Sequence, residues 1–65
     1  MILIVGGAGY IGSHVNKELA RAGYETLILD DLSSGKRELV KWGKLIEGKL
    51  DDEVILDKIF SENKI

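Results

Sequence analysis

Four glycines fall within the seven positions Gly6-Gly7-Ala8-Gly9-Tyr10-Ile11-Gly12, and the acidic residue Asp30 stands eighteen positions after the last of them. A turn without side chains lets another backbone or a ligand approach closely. Where such a turn opens a helix, the first amides have no internal partner and the helix dipole adds positive potential, so the turn is suited to an anion such as a pyrophosphate. A carboxylate about 20 residues further on can accept hydrogen bonds from the two hydroxyls of an adenosine ribose. Together these residues have the chemistry of a dinucleotide site. Two spacings overlap, because Gly7, Gly9 and Gly12 fit G-x-G-x-x-G while Gly6, Gly9 and Gly12 fit G-x-x-G-x-x-G. Spacing alone does not choose between them. An Asp carboxylate repels a 2′-phosphate, which favours NAD over NADP, whereas Lys36 and Arg37 are cations that keep NADP as an alternative. The bland alternative is a tight loop in a nucleotide-free α/β protein, with Asp30 solvating a strand end.

The other chemically capable side chains do not assemble into a catalytic set. The chain has no cysteine, which removes disulfides and thiolate metal sites. His14 is a lone histidine early in an amphipathic helix, a place for a surface or half-buried polar residue more than for a general base. Tyr10 belongs to the glycine turn, Tyr24 lacks a lysine four residues on, and Trp42 reads as core or edge cover. Neither a catalytic nor a metal-ligating residue is assigned.

The elements that must position the glycines and Asp30 follow from the pattern of apolar residues. Ile2 to Val5 is a short unbroken apolar run ended by glycine, as in a strand buried on both faces. Ser13 to Ala22 reads as a helix with Ile11, Val15, Leu19 and Ala22 inward and Asn16, Lys17, Glu18 and Arg21 outward, stopped by Gly23. Glu25 to Asp30 is a second strand around Leu27-Ile28-Leu29. Strand, helix and strand within about 30 residues make a βαβ unit with a parallel pair and a right-handed connection. Beyond the Leu32-Ser33-Ser34-Gly35 turn, Lys36 to Trp42 is expected to make two helical turns with Leu39, Val40 and Trp42 inward. Lys44 to Glu47 is expected as a third strand, and Asp51 or Asp52 as the cap of a last helix reaching about Asn63, with Leu56, Ile59 and Phe60 buried and Ile55 beside them. The expected fold is α/β, one partial Rossmann-type half-unit over residues 1–65, β-α-β-α-β-α with a parallel sheet in the order 3-2-1.

Composition narrows the setting. The 65 residues are 45% hydrophobic and 31% charged with a formal net charge of -2, and the basic residues are interspersed with acidic ones. Nucleic acid is therefore not an expected partner. No apolar stretch approaches the roughly 20 residues that span a bilayer, and the N-terminus has no export-signal pattern, so a cytoplasmic protein without membrane association is expected. In the order 3-2-1 the apolar strand Ile2–Val5 is an edge, and an unprotected apolar edge pairs with other chains. A homo-oligomer through that edge is expected.

The segments GGAGYIGSH, LILDDLSSGKRE and WGKLIEG together resemble the N-terminal part of the UDP-glucose 4-epimerase family, NAD-dependent enzymes among the extended short-chain dehydrogenases/reductases. The resemblance spans nearly the whole chain. It implies the G-x-x-G-x-x-G reading, with Gly6, Gly9 and Gly12 as the fingerprint and the amides of Tyr10 and Ile11 on the pyrophosphate. It also implies that Asp30 binds the adenosine ribose, that Asp31, Ser33, Ser34 and Gly35 line the same pocket, and that Leu50 packs on the adenine. One departure is Lys49 in Glu47-Gly48-Lys49-Leu50, where the family pattern has an acidic residue facing the adenine amino group; a lysine cannot accept a hydrogen bond. The family's Tyr-x-x-x-Lys pair has no counterpart among these residues. The isolated chain is expected to bind dinucleotide weakly without catalysis, the alternative being a self-assembling or partner-completed module that keeps the fold without the ligand.

Overall fold

The computed structural model describes residues 1–65. The element order is β1 (Ile2–Val5), α1 (Tyr10–Arg21), β2 (Thr26–Asp30), a single 3-10 turn (Arg37–Leu39), β3 (Lys44–Glu47) and α2 (Glu53–Glu62). The three strands are parallel in the order β1-β2-β3, with Ile4 opposite Ile28 and Ile28 opposite Leu45. This is the expected neighbour order, with β2 in the middle. Its residues Thr26 to Leu29 are all buried, which is why the segment is continuously apolar from Leu27 to Leu29.

Alternation along the strands sends successive side chains to opposite faces. Leu27 and Leu29 meet Ile59 of α2, with Leu3, Ile46, Ile55 and Leu56 packed around them. Ile28 turns to the other face, where Gly7 lies directly over its side chain at the entry to α1. Full burial of Leu27, Ile28, Leu29 and Ile59 contributes roughly 1.5–3 kcal/mol each. No helix is long and apolar enough to cross a membrane.

Three expectations are corrected by the packing. The second crossover is not a helix over Lys36 to Trp42 but the one 3-10 turn, so the chain has two helices rather than three. Both ends of that segment are tied down: the Lys36 amide donates to the Ala8 carbonyl at 3.0 Å, and Asn16 Nδ2 donates to the Trp42 carbonyl at 2.9 Å. Val40 is extended, and a bend at Trp42 and Gly43, the latter at φ 78°, turns the chain into β3. Leu39 and Val40 are half-buried, whereas Trp42 is exposed.

The inward face of α1 is also rotated from the expected one. Asn16 is fully buried and Leu19 half-buried, while Ile11 is 78% and Val15 47% exposed and Ala22 lies at the surface. The cause is Gly12, whose Cα sits so close to the Gly6 carbonyl that an added Cβ would collide with it. That contact turns the Gly12–Asn16 side of the helix onto the sheet. On α2, Ile59 is buried with Ile55 and Leu56 half-buried, and Phe60 is exposed at the flank of the stripe rather than within it. The expected boundaries of the last helix and its cap are met, since Asp52 Oδ1 accepts from the amides of Val54 and Ile55 at 3.1 and 3.2 Å. Gly23 follows the α1 C-cap at φ 93°, as a helix-stopping glycine does.

Candidate functional site

The C-terminal ends of the strands and the N-terminus of α1 meet at one edge of the sheet. Gly6, at φ 76°, turns the chain out of β1 in a conformation that side chains disfavour. Gly9 is the N-cap of α1 and offers no side-chain cap, and no acidic residue stands in the first turn. The amides of Tyr10, Ile11 and Gly12 therefore have no intrahelical carbonyl to bond. At α2, by contrast, Asp52 and Glu53 occupy the equivalent place. The end of α1 is thus the open, anion-competent one of the two helix N-termini.

A cleft of about 520 Å³ lies over this end. Its lining brings together Gly6, Gly9, Tyr10, Ile11 and Gly12 from the turn with Asp30, Asp31, Ser34 and Gly35 from the end of β2 and the loop after it. Nine of the eleven residues singled out from the sequence share this one space. A smaller adjoining cleft of about 150 Å³ is bounded by Leu50 and by Val5, Leu29 and Gly48, with Gly6, Asp30 and Asp31 common to both. Ser33 lines neither. Its amide and hydroxyl donate to Asp31 Oδ1 at 3.0 and 2.7 Å, so it acts on the site through that carboxylate.

The glycines differ in what they do. Gly12 is required by backbone contact with Gly6, and Gly35 by contact with Ala8, whose carbonyl carbon would lie 2.8 Å from an added Cβ. Gly9 meets only the Gly6 carbonyl oxygen, at 3.4 Å, and otherwise faces open space on the cleft side. Gly7 packs on Ile28 instead of lining the cleft. The positions that shape the cleft are Gly6, Gly9 and Gly12, which is the G-x-x-G-x-x-G spacing.

The electrostatics set the two sides apart. Hydrogen bonds from the backbone and then the side chain of Ser33 hold the Asp31 carboxyl below its ordinary value, with a smaller contribution from the positive charge of Lys49. Asp30 Oδ2 accepts from the Ala8 amide at 3.0 Å, and Oδ1 from the Leu32 amide at 2.8 Å. Arg37 Nη2 is paired with Glu47 Oε1 at 2.6 Å beside β3, in a solvent-exposed ion pair. His14 is exposed and packs edge-to-face on the Tyr10 ring at 4.9 Å, away from any carboxylate partner. The sequence reading missed Ala8, which is fully buried beneath both the turn and the β2 loop. A small apolar residue between two glycines was its only signal.

The profile of the NAD dependent epimerase/dehydratase family matches residues 2–65. The chain is 49% identical over 63 residues to UDP-glucose 4-epimerase of Rhizobium meliloti, which covers 97% of this chain and 19% of that protein. It is 44% identical over 72 residues to UDP-glucose 4-epimerase of Bacillus subtilis, covering 98% of this chain and 21% of that protein. The crystal structure of UDP-glucose 4-epimerase from Brucella ovis in complex with NAD superposes with a TM-score of 0.91 at 43% identity, over 94% of this chain and 19% of that one. The chain spans about a fifth of the length of the relatives it matches.

Proposed function

The chain belongs to the NAD dependent epimerase/dehydratase family, and on that premise we propose that its 65 residues form the adenosine-diphosphate half of an NAD site. The observation that carries this reading is the pairing, across one cleft, of the uncapped N-terminus of α1 with the carboxylate of Asp30. The amides of Tyr10 and Ile11 bind the pyrophosphate over Gly9, with Gly6 and Gly12 shaping the turn. Asp30 accepts the ribose hydroxyls, with Asp31, Ser34 and Gly35 along the same wall and Ser33 holding Asp31 in place. Leu50, in the adjoining cleft, packs on the adenine ring. When bound, NAD supplies a hydride acceptor on its nicotinamide ring, a part of the molecule that these residues do not reach.

NAD is favoured over NADP on two grounds. Asp30 and Asp31 both border the ribose position, where a 2′-phosphate would meet their charge, and Arg37 is held by Glu47. In a longer polypeptide built like its relatives, this segment would hold the cofactor for interconversion of UDP-glucose and UDP-galactose in the cytoplasm. Alone it binds dinucleotide weakly and turns nothing over. Titration of the 65-residue protein with NAD and with NADP, followed by calorimetry or amide chemical shifts, tests the reading. The expected result is saturable shifts at Gly9 to Gly12 and Asp30, with NAD preferred by about tenfold, or about 1.4 kcal/mol. Silence with both dinucleotides would sink it.

A second reading is favoured by one observation. The outer edge of β1 is unpaired in the 65-residue protein, and Val5 at the end of that strand is exposed. Such an edge supports self-assembly through β1 with or without a nucleotide.

A further inference from the structure

The Ala8 peptide, at the centre of the glycine turn, has both of its polar groups engaged although its side chain can bond to nothing. Its amide donates to Asp30 Oδ2 at 3.0 Å, and its carbonyl accepts from the Lys36 amide at 3.0 Å. Gly35 lies against the same residue so closely that a Cβ there would sit 2.8 Å from the Ala8 carbonyl carbon. The other oxygen of Asp30 accepts from the amide of Leu32, which stands at φ 62° as the one non-glycine residue with a positive φ. A leucine in that region is disfavoured and persists where surrounding bonds over-determine it.

From this arrangement we infer that Asp30 is the positioning residue of the phosphate-binding turn, holding its amides in place before any ligand arrives. Two N–H donors, from Ala8 and Leu32, point at two different oxygens of one side chain. A carboxylate accepts both, whereas the amide of an asparagine would set its own NH2 against one of them. A residue needed for the ribose alone would not require this. Each carboxylate oxygen has two acceptor sites, so the ribose hydroxyls of the proposed NAD bind to lone pairs that the backbone leaves free. Ribose and phosphate subsites are thereby one mechanical unit, joined through Ala8.

Losing the Asp30 charge and losing the positioned turn act on a bound anion with opposite signs. Inorganic pyrophosphate carries no ribose and never touches Asp30, and the negative charge of Asp30 repels it. Charge alone makes Asp30→Asn bind pyrophosphate more tightly; loss of the positioned turn makes it bind more weakly.

The binding half of the test rests on the NAD-site reading and the exchange half does not. We expect Asp30→Asn to weaken pyrophosphate binding at least threefold. We also expect the Ala8 amide to exchange with solvent at least tenfold faster while the Leu27 and Leu29 amides keep their protection. Unchanged or tighter pyrophosphate binding, or unchanged Ala8 exchange, overturns the inference. Should Asp30→Asn not fold, the unsubstituted protein decides. A scalar coupling across the hydrogen bond from the Ala8 amide nitrogen to the Asp30 carboxyl carbon upholds the inference, and its absence overturns it. If the unsubstituted protein binds neither NAD nor pyrophosphate, the NAD reading falls, while Ala8 exchange still judges the role of Asp30.

Discussion

Glycines of the same motif carry different burdens, and substitution separates them. At Gly12 an added methyl group meets the Gly6 carbonyl oxygen and the Gly7 Cα, backbone atoms that cannot rotate away. Overpacking of this kind costs about 1–3 kcal/mol, and in a domain this small each kcal/mol lowers Tm by roughly 4–8 °C. Gly12→Ala is therefore expected to melt at a clearly lower temperature, as read by circular dichroism. At Gly9 the backbone is at φ -77° and ψ 172°, which any residue adopts, and the nearest atom to an added Cβ is 3.4 Å away. Gly9→Ala is expected to keep its Tm within a few degrees and to lose NAD binding at least tenfold, because the methyl group would stand where the proposed pyrophosphate passes. Equal loss of Tm in both variants would contradict this division of roles. The number and spacing of these glycines were legible in the sequence; which glycine touches which neighbour was not, because only the approach of α1 to β1 sets those distances.

The two helices show how one local rule serves opposite ends. Asp52 caps α2 with two backbone hydrogen bonds, and Glu53 adds negative charge to its first turn. Removing the cap by Asp52→Ala costs about 0.5–2 kcal/mol by chemical denaturation, with no effect on nucleotide binding expected, since Asp52 lines neither cleft. A loss of NAD affinity in that variant would place α2 closer to the site than the structure does. The N-terminus of α1 leaves its amides open for the proposed ligand, and its stability is met elsewhere, by Gly12 packing and by the Asn16 bond to the Trp42 carbonyl. That bond also explains the missing middle helix. The sequence from Lys36 to Trp42 contains helix-compatible residues, yet its ends are tied to Ala8 and Asn16, and tertiary bonds override a weak local preference.

As a whole the molecule is a thin slab, 29 × 26 × 14 Å between its outermost Cα atoms. It exposes 4607 Å² of surface, more than the about 4,100 Å² expected of a folded monomer of 7.2 kDa. The excess fits a sheet whose β1 edge is unpaired, with Val5 exposed on β1, Ile11 and Val15 exposed on α1 and Phe60 exposed on α2. We expect the 65-residue protein to self-associate at high micromolar concentration, and Val5→Lys to shift it toward monomer by at least fivefold in apparent Kd. Analytical ultracentrifugation reads both. A strictly monomeric unsubstituted protein would remove the self-assembly reading and leave the nucleotide reading intact.

By itself the sequence determined the strands and the parallel order with β2 central, and it narrowed the cap of α2 to Asp51 or Asp52, because unbroken apolar runs, turn glycines and an acidic strand end are local signals. The loop residues Asp31, Ser33, Ser34 and Gly35, and Leu50, followed only from the family resemblance. Ser33 marks the limit of that legibility, since its neighbours line the cleft while it serves Asp31. The inward face of α1, the path of the second crossover and the joining of Asp30 to Ala8 were decided only in three dimensions. Each depends on a contact between residues distant in sequence: Asn16 with Trp42, Lys36 with Ala8, and Asp30 with Ala8. A pattern of hydropathy records which residues avoid water, but it does not record which buried amide will face which carbonyl.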